Sequence, residues 1–340
     1  MARRFKQIVV DGPNFYETIV LPSFGDNITD SDVRNGFFGE FIIMDDVTDS
    51  KKIIDITPIG NILKRRDASC TLIPSYVGRA DARRISVTEL YGYVEHCAQE
   101  FYQGCLKDWR NGDPIFVDKI ETFFRKAIRE DLISLMYFGD VDRVDAAGAK
   151  WNTNKFDGIF KQYALAIASG RLPGAQTFNV PNAAISPANA KAYLEQMFVA
   201  QDELLGLMAD NEKAFYIDKQ WADAYEDYLI ATGATNGEAV NYVQDGIKVR
   251  AYKGIPIFVN KIFQPILKQI TGDANPHFGI LTIRGNFIFA TDKNYGEGPN
   301  LDIAFKVWYD WNTLQWKYIN VLKAGTAIGL PEHTVLALPA

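Results

Sequence analysis

Cysteine and histidine are both scarce, at three residues each in 340. Cys70, Cys97 and Cys105 leave one thiol over in any disulfide scheme, and their spacing fits no zinc pattern, which favours a reducing compartment over a disulfide framework. His96 adjoins Cys97, but neighbouring residues on a helix or strand point apart, so the pair is not a ready-made ligand set. With only His96, His277 and His333 available, histidine-based catalysis has few places to sit. Long apolar runs are missing too. No stretch approaches the roughly 20 residues that span a bilayer. The basic and briefly apolar start, Met1 to Val10, is broken by Asp11-Gly-Pro too early for a secretory signal, so folding in the cytoplasm is expected. The Gly-rich loops that cradle phosphates are absent, as are the G-x-S-x-G elbow and the H-E-x-x-H zinc helix. Positive charge is also short, with 36 Lys and Arg against 42 Asp and Glu, a formal net charge of −6. A general nucleic-acid binder shows a basic stripe instead.

What the chain does have is apolar and aromatic mass. Hydrophobic residues make up 47%, enough for a sizeable core, and 22 Phe with 16 Tyr suit interfaces as well as cores. At this length one large or two ordinary domains are expected. Residues 1 to about 65 carry Asp, Asn, Gly and Ser between short apolar patches such as Phe41-Ile-Ile-Met44, a pattern of an extended arm. Residues 66–87 are basic and loop-like around Pro74 to Gly78, and suggest a protruding hairpin with short strands on either side. Val87 to Trp109 reads as strand then helix. Asp113-Pro114 is a helix start, an Asp cap followed by Pro in the first turn. From there Ile120, Phe123, Phe124, Ala127, Ile128, Leu132, Leu135 and Met136 recur at spacings of three and four, which predicts a long helix over about 114–138 with one apolar face, interrupted by Asp131 and ended by Gly139.

Further along, Ser186-Pro187 opens an amphipathic helix with Ala190, Leu194, Met197, Phe198, Gln201 and Leu205 on one side. Phe215 to Ile217 reads as a short strand, and Asp218 caps a helix from Lys219 to about Ala231. Ile247 to Tyr252 and Gly254 to Val259 are extended. Phe278 to Thr291 reads as a hairpin turning at Arg284-Gly-Asn286, and Leu301 to Tyr309 and Leu314 to Leu322 as two longer strands joined at residues 310–313. Thr326 to Leu338 supplies two more. Helices and strands do not alternate, so the class is α+β and not a doubly wound sheet.

The acids Asp223, Glu226 and Asp227 share one helix face, the arrangement a cation or acid–base site uses. A solvated face explains them more simply, with Lys219 one turn before Asp223 as an ion-pair partner. The basic cluster Lys64, Arg65, Arg66, Arg79, Arg83 and Arg84 suits phosphates or, in an acidic self-assembling protein, the acidic surface of a neighbouring subunit. No catalytic, cofactor-binding or metal-ligating residue is assigned, and no cofactor is expected.

Three stretches resemble the major capsid proteins of tailed bacteriophages, the Hong Kong 97-type fold. Ile120 to Gly139 followed by Phe156-Asp-Gly-Ile159 resembles that family's spine helix and its glycine-turn exit. Ala214-Phe-Tyr-Ile-Asp-Lys-Gln-Trp with Tyr252-Lys-Gly-Ile-Pro-Ile257 resembles its apical domain. Lys317 to Leu338, with Ala324-Gly-Thr and Leu330-Pro-Glu-His-Thr-Val-Leu, resembles its closing strands. The resemblance implies an N-terminal arm at 1–65, an extended loop at 66–87, a peripheral domain with the spine helix at 88–184, an apical domain at 185–300, and closing strands of the peripheral domain at 301–340. It implies a non-enzymatic shell protein assembling with itself into pentamers and hexamers around double-stranded DNA, held by non-specific contact, in the virion and without a membrane. It also implies a portal, decoration proteins and, since no charged helical scaffolding segment is visible, a separate scaffolding protein. Some members crosslink a loop lysine to a neighbouring asparagine. Residues 68–84 hold arginines and no lysine, so no such crosslink is expected. An encapsulin-like compartment shell shares the fold. A metal-dependent hydrolase using Asp223, Glu226 and Asp227, or a tail or decoration protein, are the readings from other classes.

Overall fold

Two β-sheets share one hydrophobic core, and two of the chain segments that join them, residues 284–286 and 329–333, run side by side. The computed structural model describes residues 19–20, 41–44, 47–58, 78–97, 124, 127–128, 130–232, 242–244, 247–292, 305–310, 312–313 and 315–340. The Asp113-Pro114 helix start, Cys70, Cys105 and Lys64 to Arg66 lie outside them.

The six-stranded sheet is organised by β14 (Gln315–Ile328). One edge of β14 pairs with β5 (Thr88–Cys97) from Gln315 opposite Cys97 to Ala324 opposite Thr88. The other edge is shared: β13 (Phe305–Asp310) takes its first half and β12 (Phe287–Thr291) its second. Outside these lie β1 (Ile19–Val20), antiparallel to β13, and β2 (Phe41–Met44), parallel to β12. The strict alternation of β14 puts Trp316, Tyr318, Asn320 and Leu322 inside, so only one face of this part of the sheet is covered.

The seven-stranded sheet runs β6 (Thr177–Val180), β15 (Thr334–Pro339), β11 (Gly279–Ile283), β7 (Lys213–Asp218), β10 (Ile255–Asn260), β9 (Ile247–Tyr252), β8 (Tyr242–Gln244). Its central strands are buried on both faces, which is why Phe215-Tyr-Ile217 reads as continuously apolar. Ala214, Tyr216, Ile280 and Leu336 face the shared core, together with Phe287, Phe289 and Leu322 of the other sheet. Phe215, Ile217, Leu281 and Val335 face a second cluster, shared with the two helices over Pro187–Val199 and Lys219–Thr232. β9 and β10 are joined by a two-residue turn at Lys253 (φ 49°) and Gly254 (φ 84°), the left-handed pair that matches strand twist in a hairpin.

The shared core also takes the end of the first helix, α1, helical over residues 130–138 with 124, 127 and 128 helical too. Sequence periodicity predicts one apolar face. Instead every residue from Leu132 to Gly139 is buried, while Asp131 just before them is exposed, because the last turns run into the core. Gly139 ends α1 for a steric reason: a Cβ there would sit 2.1 Å from the Phe156 carbonyl oxygen. The returning segment is fastened by Gly158 N–H donating to Gly139 O at 2.9 Å and leads into α2 (Ile159–Ala168).

Two capped helices cover the far face of the seven-stranded sheet. α3 (Pro187–Val199) starts at Ser186, whose hydroxyl accepts from Asn189 N–H. It ends before Gln201 and Leu205, which the sequence pattern includes. Asp202 instead caps a separate short α4 (Glu203–Leu207), accepting from the Leu204 and Leu205 amides. α5 (Lys219–Thr232) follows β7 directly, with Asp218 Oδ1 accepting from Trp221 N–H at 3.0 Å. On the opposite face α6 (Phe263–Thr271) adds Phe263, Ile266 and Leu267 to the shared core.

The expected hairpin over 278–291 is not one. β11 and β12 do not pair with each other; they belong to different sheets. Beside them the chain crosses back through residues 329–333, from β14 to β15. The hydrogen bonds of Asn286 explain the departure. Its Oδ1 accepts from Leu330 N–H at 2.6 Å, its Nδ2 donates to Leu330 O at 3.0 Å and Thr282 Oγ1 at 2.7 Å, and its backbone oxygen accepts from Gly329 N–H at 2.7 Å. Thr282 donates to the His333 carbonyl, so it accepts from Thr334, which in turn accepts from the buried Tyr163 hydroxyl. Burial pushes the Tyr163 phenol well above its ordinary range, so it stays a donor. β12 joins the six-stranded sheet, while β6 and β15 join the seven-stranded one.

β3 (Ser50–Pro58) and β4 (Gly78–Ser86) form a two-stranded antiparallel sheet of their own, in register from Ser50 opposite Ser86 to Pro58 opposite Gly78. The hairpin thus begins inside the span read as arm and carries Lys51 and Lys52 on its first strand. The absence of lysine noted over 68–84 does not extend to the whole hairpin.

Asn286→Ala is expected to destabilise the protein by about 3 kcal/mol, because it strands buried donors and acceptors on Leu330 and Thr282. The midpoint of urea unfolding measures this, and an unchanged midpoint would remove the corner from its central place.

Candidate assembly surface

Among the described residues the groups suited to chemistry are dispersed. On α5, Asp223 pairs with Lys219, while Glu226 and Asp227 lie exposed along the same helix. Among the described residues no three His, Cys, Asp or Glu side chains are placed to hold a metal ion, and no helix is long and apolar enough to cross a membrane. His277 is tied to Asp218, and His333 Nδ1 lies 2.8 Å from Asp202 Oδ2, so both reach an aspartate that caps a helix. His96 and Cys97 are consecutive residues at the end of β5. Of the basic cluster, Arg79, Arg83 and Arg84 lie on β4.

A broader feature is the outer face of the six-stranded sheet. On β14 the residues opposite in parity to the buried set are Lys317, Ile319, Val321 and Lys323. The register sets Glu95, Tyr93, Tyr91 and Glu89 of β5 beside them in that order. Tyr91 is 77% exposed and Tyr93 43%. Trp308 of β13 lies in the Lys317 row, its ring 6.5 Å from that of Tyr93. The result is an aromatic and aliphatic centre, Tyr91, Tyr93, Ile319, Val321 and Trp308, between two charged ends. At one end Lys317 bridges Asp310 at 2.8 Å and Glu95 at 3.6 Å. At the other, Lys323 reaches the Thr48 carbonyl at 2.8 Å. An apolar centre rimmed by charged and polar groups is the pattern of a protein interface. The sequence contains the signal: Thr88 to Cys97 carries apolar residues in both parities, Leu90 and Val94 in one and Tyr91 and Tyr93 in the other. A strand with only one face to bury carries apolar residues in one parity alone.

The second feature is the β3–β4 hairpin. Its base is well held. Val87 N–H donates to Asp49 O at 3.0 Å and Val47 N–H to Thr291 O at 2.9 Å, and Val47 and Ile85 pack with Ile288, Ala290 and Ala327. Beyond the base, β3 and β4 pair with each other and with no other described strand. A lone two-stranded ribbon is marginal in water and calls for a third surface.

The chain matches no family model and no curated protein. Solved structures do match. One is the procapsid of satellite phage P4 with its size-determination (Sid) protein: TM-score 0.59 and 10% identity, covering 94% of this chain and 91% of that one. Another is that of Mycobacterium phage Bobi, with a TM-score of 0.51 at 7% identity over 90% of each chain. A third, of Mycobacterium phage Ogopogo, has a TM-score of 0.51 at 10% identity, covering 89% and 91%. At these identities the likeness is one of fold, and the fold is the α+β Hong Kong 97-type capsid fold.

The bridge at the end of the aromatic stripe fixes a titration. The Lys317 ammonium donates to Asp310 and the Asn312 N–H adds a second bond, which together bring the Asp310 carboxyl down to about 2. A depressed carboxyl stabilises the fold above its unfolded value, near pH 3.9, and that contribution fades as pH falls toward 2. Lys317→Ala is expected to return Asp310 toward the ordinary value, read as its carboxyl titration by NMR. A titration still near 2 would mean that the Asn312 amide alone holds it.

Proposed function

We propose that this chain is a major capsid protein of a tailed bacteriophage, a subunit that assembles with itself into pentamers and hexamers of an icosahedral head around double-stranded DNA. The observation that carries this is the shared fold with a satellite-phage procapsid over nearly the whole of both chains. Two surface features support it independently. The β3–β4 hairpin pairs with no other described strand, and the tyrosine stripe is apolar, exposed at Tyr91 and Tyr93, and framed by charges. Both are groups a monomer leaves incomplete and a neighbour completes. Repeated head-to-tail contacts close into rings when the rotation fits.

In this assignment the β3–β4 hairpin is the extended loop, so the loop runs over 50–86 and the arm ends before it. α1 is the spine helix. The six-stranded sheet is the peripheral domain, and the seven-stranded sheet with α3 and α5 is the apical domain. The net charge of −6 suits a container whose wall holds DNA without gripping it. A separate scaffolding protein, a portal and decoration proteins are the further partners, and the assembled product is the virion.

Electron microscopy of the protein produced alone and with the scaffold of its genome is expected to reveal rings of five or six, tubes or closed shells. DNA content separates a phage head from a compartment shell with enzyme cargo. A protein that stays monomeric in both preparations would overturn the proposal. The double substitution Tyr91→Ser with Tyr93→Ser is expected to leave the unfolding midpoint within about 1 kcal/mol, since exposed groups contribute little to the monomer. It is expected to reduce assembled particles severely. Normal particle yield would exclude the stripe from the contacts.

A further inference from the structure

His277 and Asp218 are both 0% exposed. Nε2 of the histidine lies 2.9 Å from the Ala183 carbonyl oxygen, and Nδ1 lies 3.0 Å from Asp218 Oδ2. A carbonyl oxygen only accepts, so Nε2 carries a hydrogen. Nδ1 faces a carboxyl oxygen, and two lone pairs do not face each other at hydrogen-bond distance in a dry site. A second hydrogen therefore lies between Nδ1 and Oδ2, on the ring or on the carboxyl. The other carboxyl oxygen is committed to Trp221 N–H.

We propose that this pair holds a structural proton. The same two side chains in the unfolded chain lose it above about pH 6.5, where a free imidazole is neutral and a free aspartate ionised. The proton fastens three segments at one point: the 181–186 linker through Ala183, the β7–α5 junction through Asp218, and the loop before β11 through His277. The charged groups on the surrounding elements are engaged elsewhere or face solvent. Lys219 and Asp223 pair on α5, Lys261 and Lys268 are exposed, and Asp273 accepts from the Asn182 amide at 2.9 Å. Residues 181–186, β10, β11 and β15 contribute no charged side chain.

The sign follows from the proton count. The folded state binds one proton more than the unfolded state above about pH 6.5, so stability falls with rising pH, about tenfold in the folding constant per pH unit. Asp218→Asn changes the count without removing the bonds. Its oxygen still caps Trp221, and its amide donates to a bare Nδ1 on a neutral ring, so no extra proton is needed. Urea unfolding of the full chain between about pH 6.5 and 8.5 is expected to lose that tenfold-per-unit component in Asp218→Asn. A role in capping alone would leave the pH slope unchanged, and that result would overturn the proposal. If the variant does not fold, nitrogen NMR of the wild-type protein labelled at its three histidines decides. A hydrogen on both His277 nitrogens, or a protonated Asp218 carboxyl, is expected above pH 7. A bare Nδ1 beside an ionised carboxylate would sink the idea.

Discussion

One side-chain amide holds the point on which the architecture turns. Two chain segments join the sheets side by side in opposite directions, β11 to β12 and β14 to β15, and where they cross neither can use a regular ladder. Asn286 stands in for that ladder, accepting from one backbone amide of the returning segment and donating to its carbonyl. A short directed run of hydroxyls, Tyr163 to Thr334 to Thr282, fills the remaining polar valences in an otherwise apolar interior. Buried polar groups are tolerable when every member is satisfied, and a satisfied network selects one arrangement over near alternatives. The corner thus sets how β12 and β14 meet β11 and β15, and through them which side of each sheet faces the shared core.

The consequence outside is asymmetric. Because β14 puts its large residues inward against α1, its opposite face with β5 is only partly covered, with Tyr91 and Tyr93 exposed beside half-buried aliphatics and charges. The hairpin rises from the same region, next to Gly325, where Ser86 O lies 2.1 Å from where a Cβ would be. Unfinished burial and an unfinished sheet are therefore neighbours on one part of the molecule. For the proposed shell subunit that is a physical rationale for assembly as the completion of folding, in which area left uncovered within one chain would be covered by the next.

Much of the helical layer can be read from sequence because its signals are local. Ser186 with Pro187, Asp218 before Lys219, and the turn at Lys253-Gly254 each act within a few residues. Long-range pairing is less accessible. Phe278 to Thr291 has two apolar runs around a Gly-Asn turn and reads as a hairpin. Its failure to be one rests on Leu330, more than forty residues away. The span 1–65 looks like featureless arm because β3 has no partner until residue 78. The tyrosine stripe is written in the double parity of β5, but that both parities are apolar without both faces being covered is a property of the folded sheet. The Lys219–Asp223 ion pair on α5 is a one-turn contact, which sequence spacing carries.

β14 also has a mechanical meaning. At about 3.3 Å per residue its 14 residues form a rod about 45 Å long, bonded along both edges and continued through the corner into the second sheet. A tension drawn along that rod loads its ladders in shear, so many hydrogen bonds must yield at once, and the tyrosine face rides on the same rod. The β3–β4 ribbon pairs with no other described strand, so its rungs are loaded one after another when its two strands are drawn apart. The same chain thus carries a strand whose rungs share a load at once and a ribbon whose rungs take it in turn.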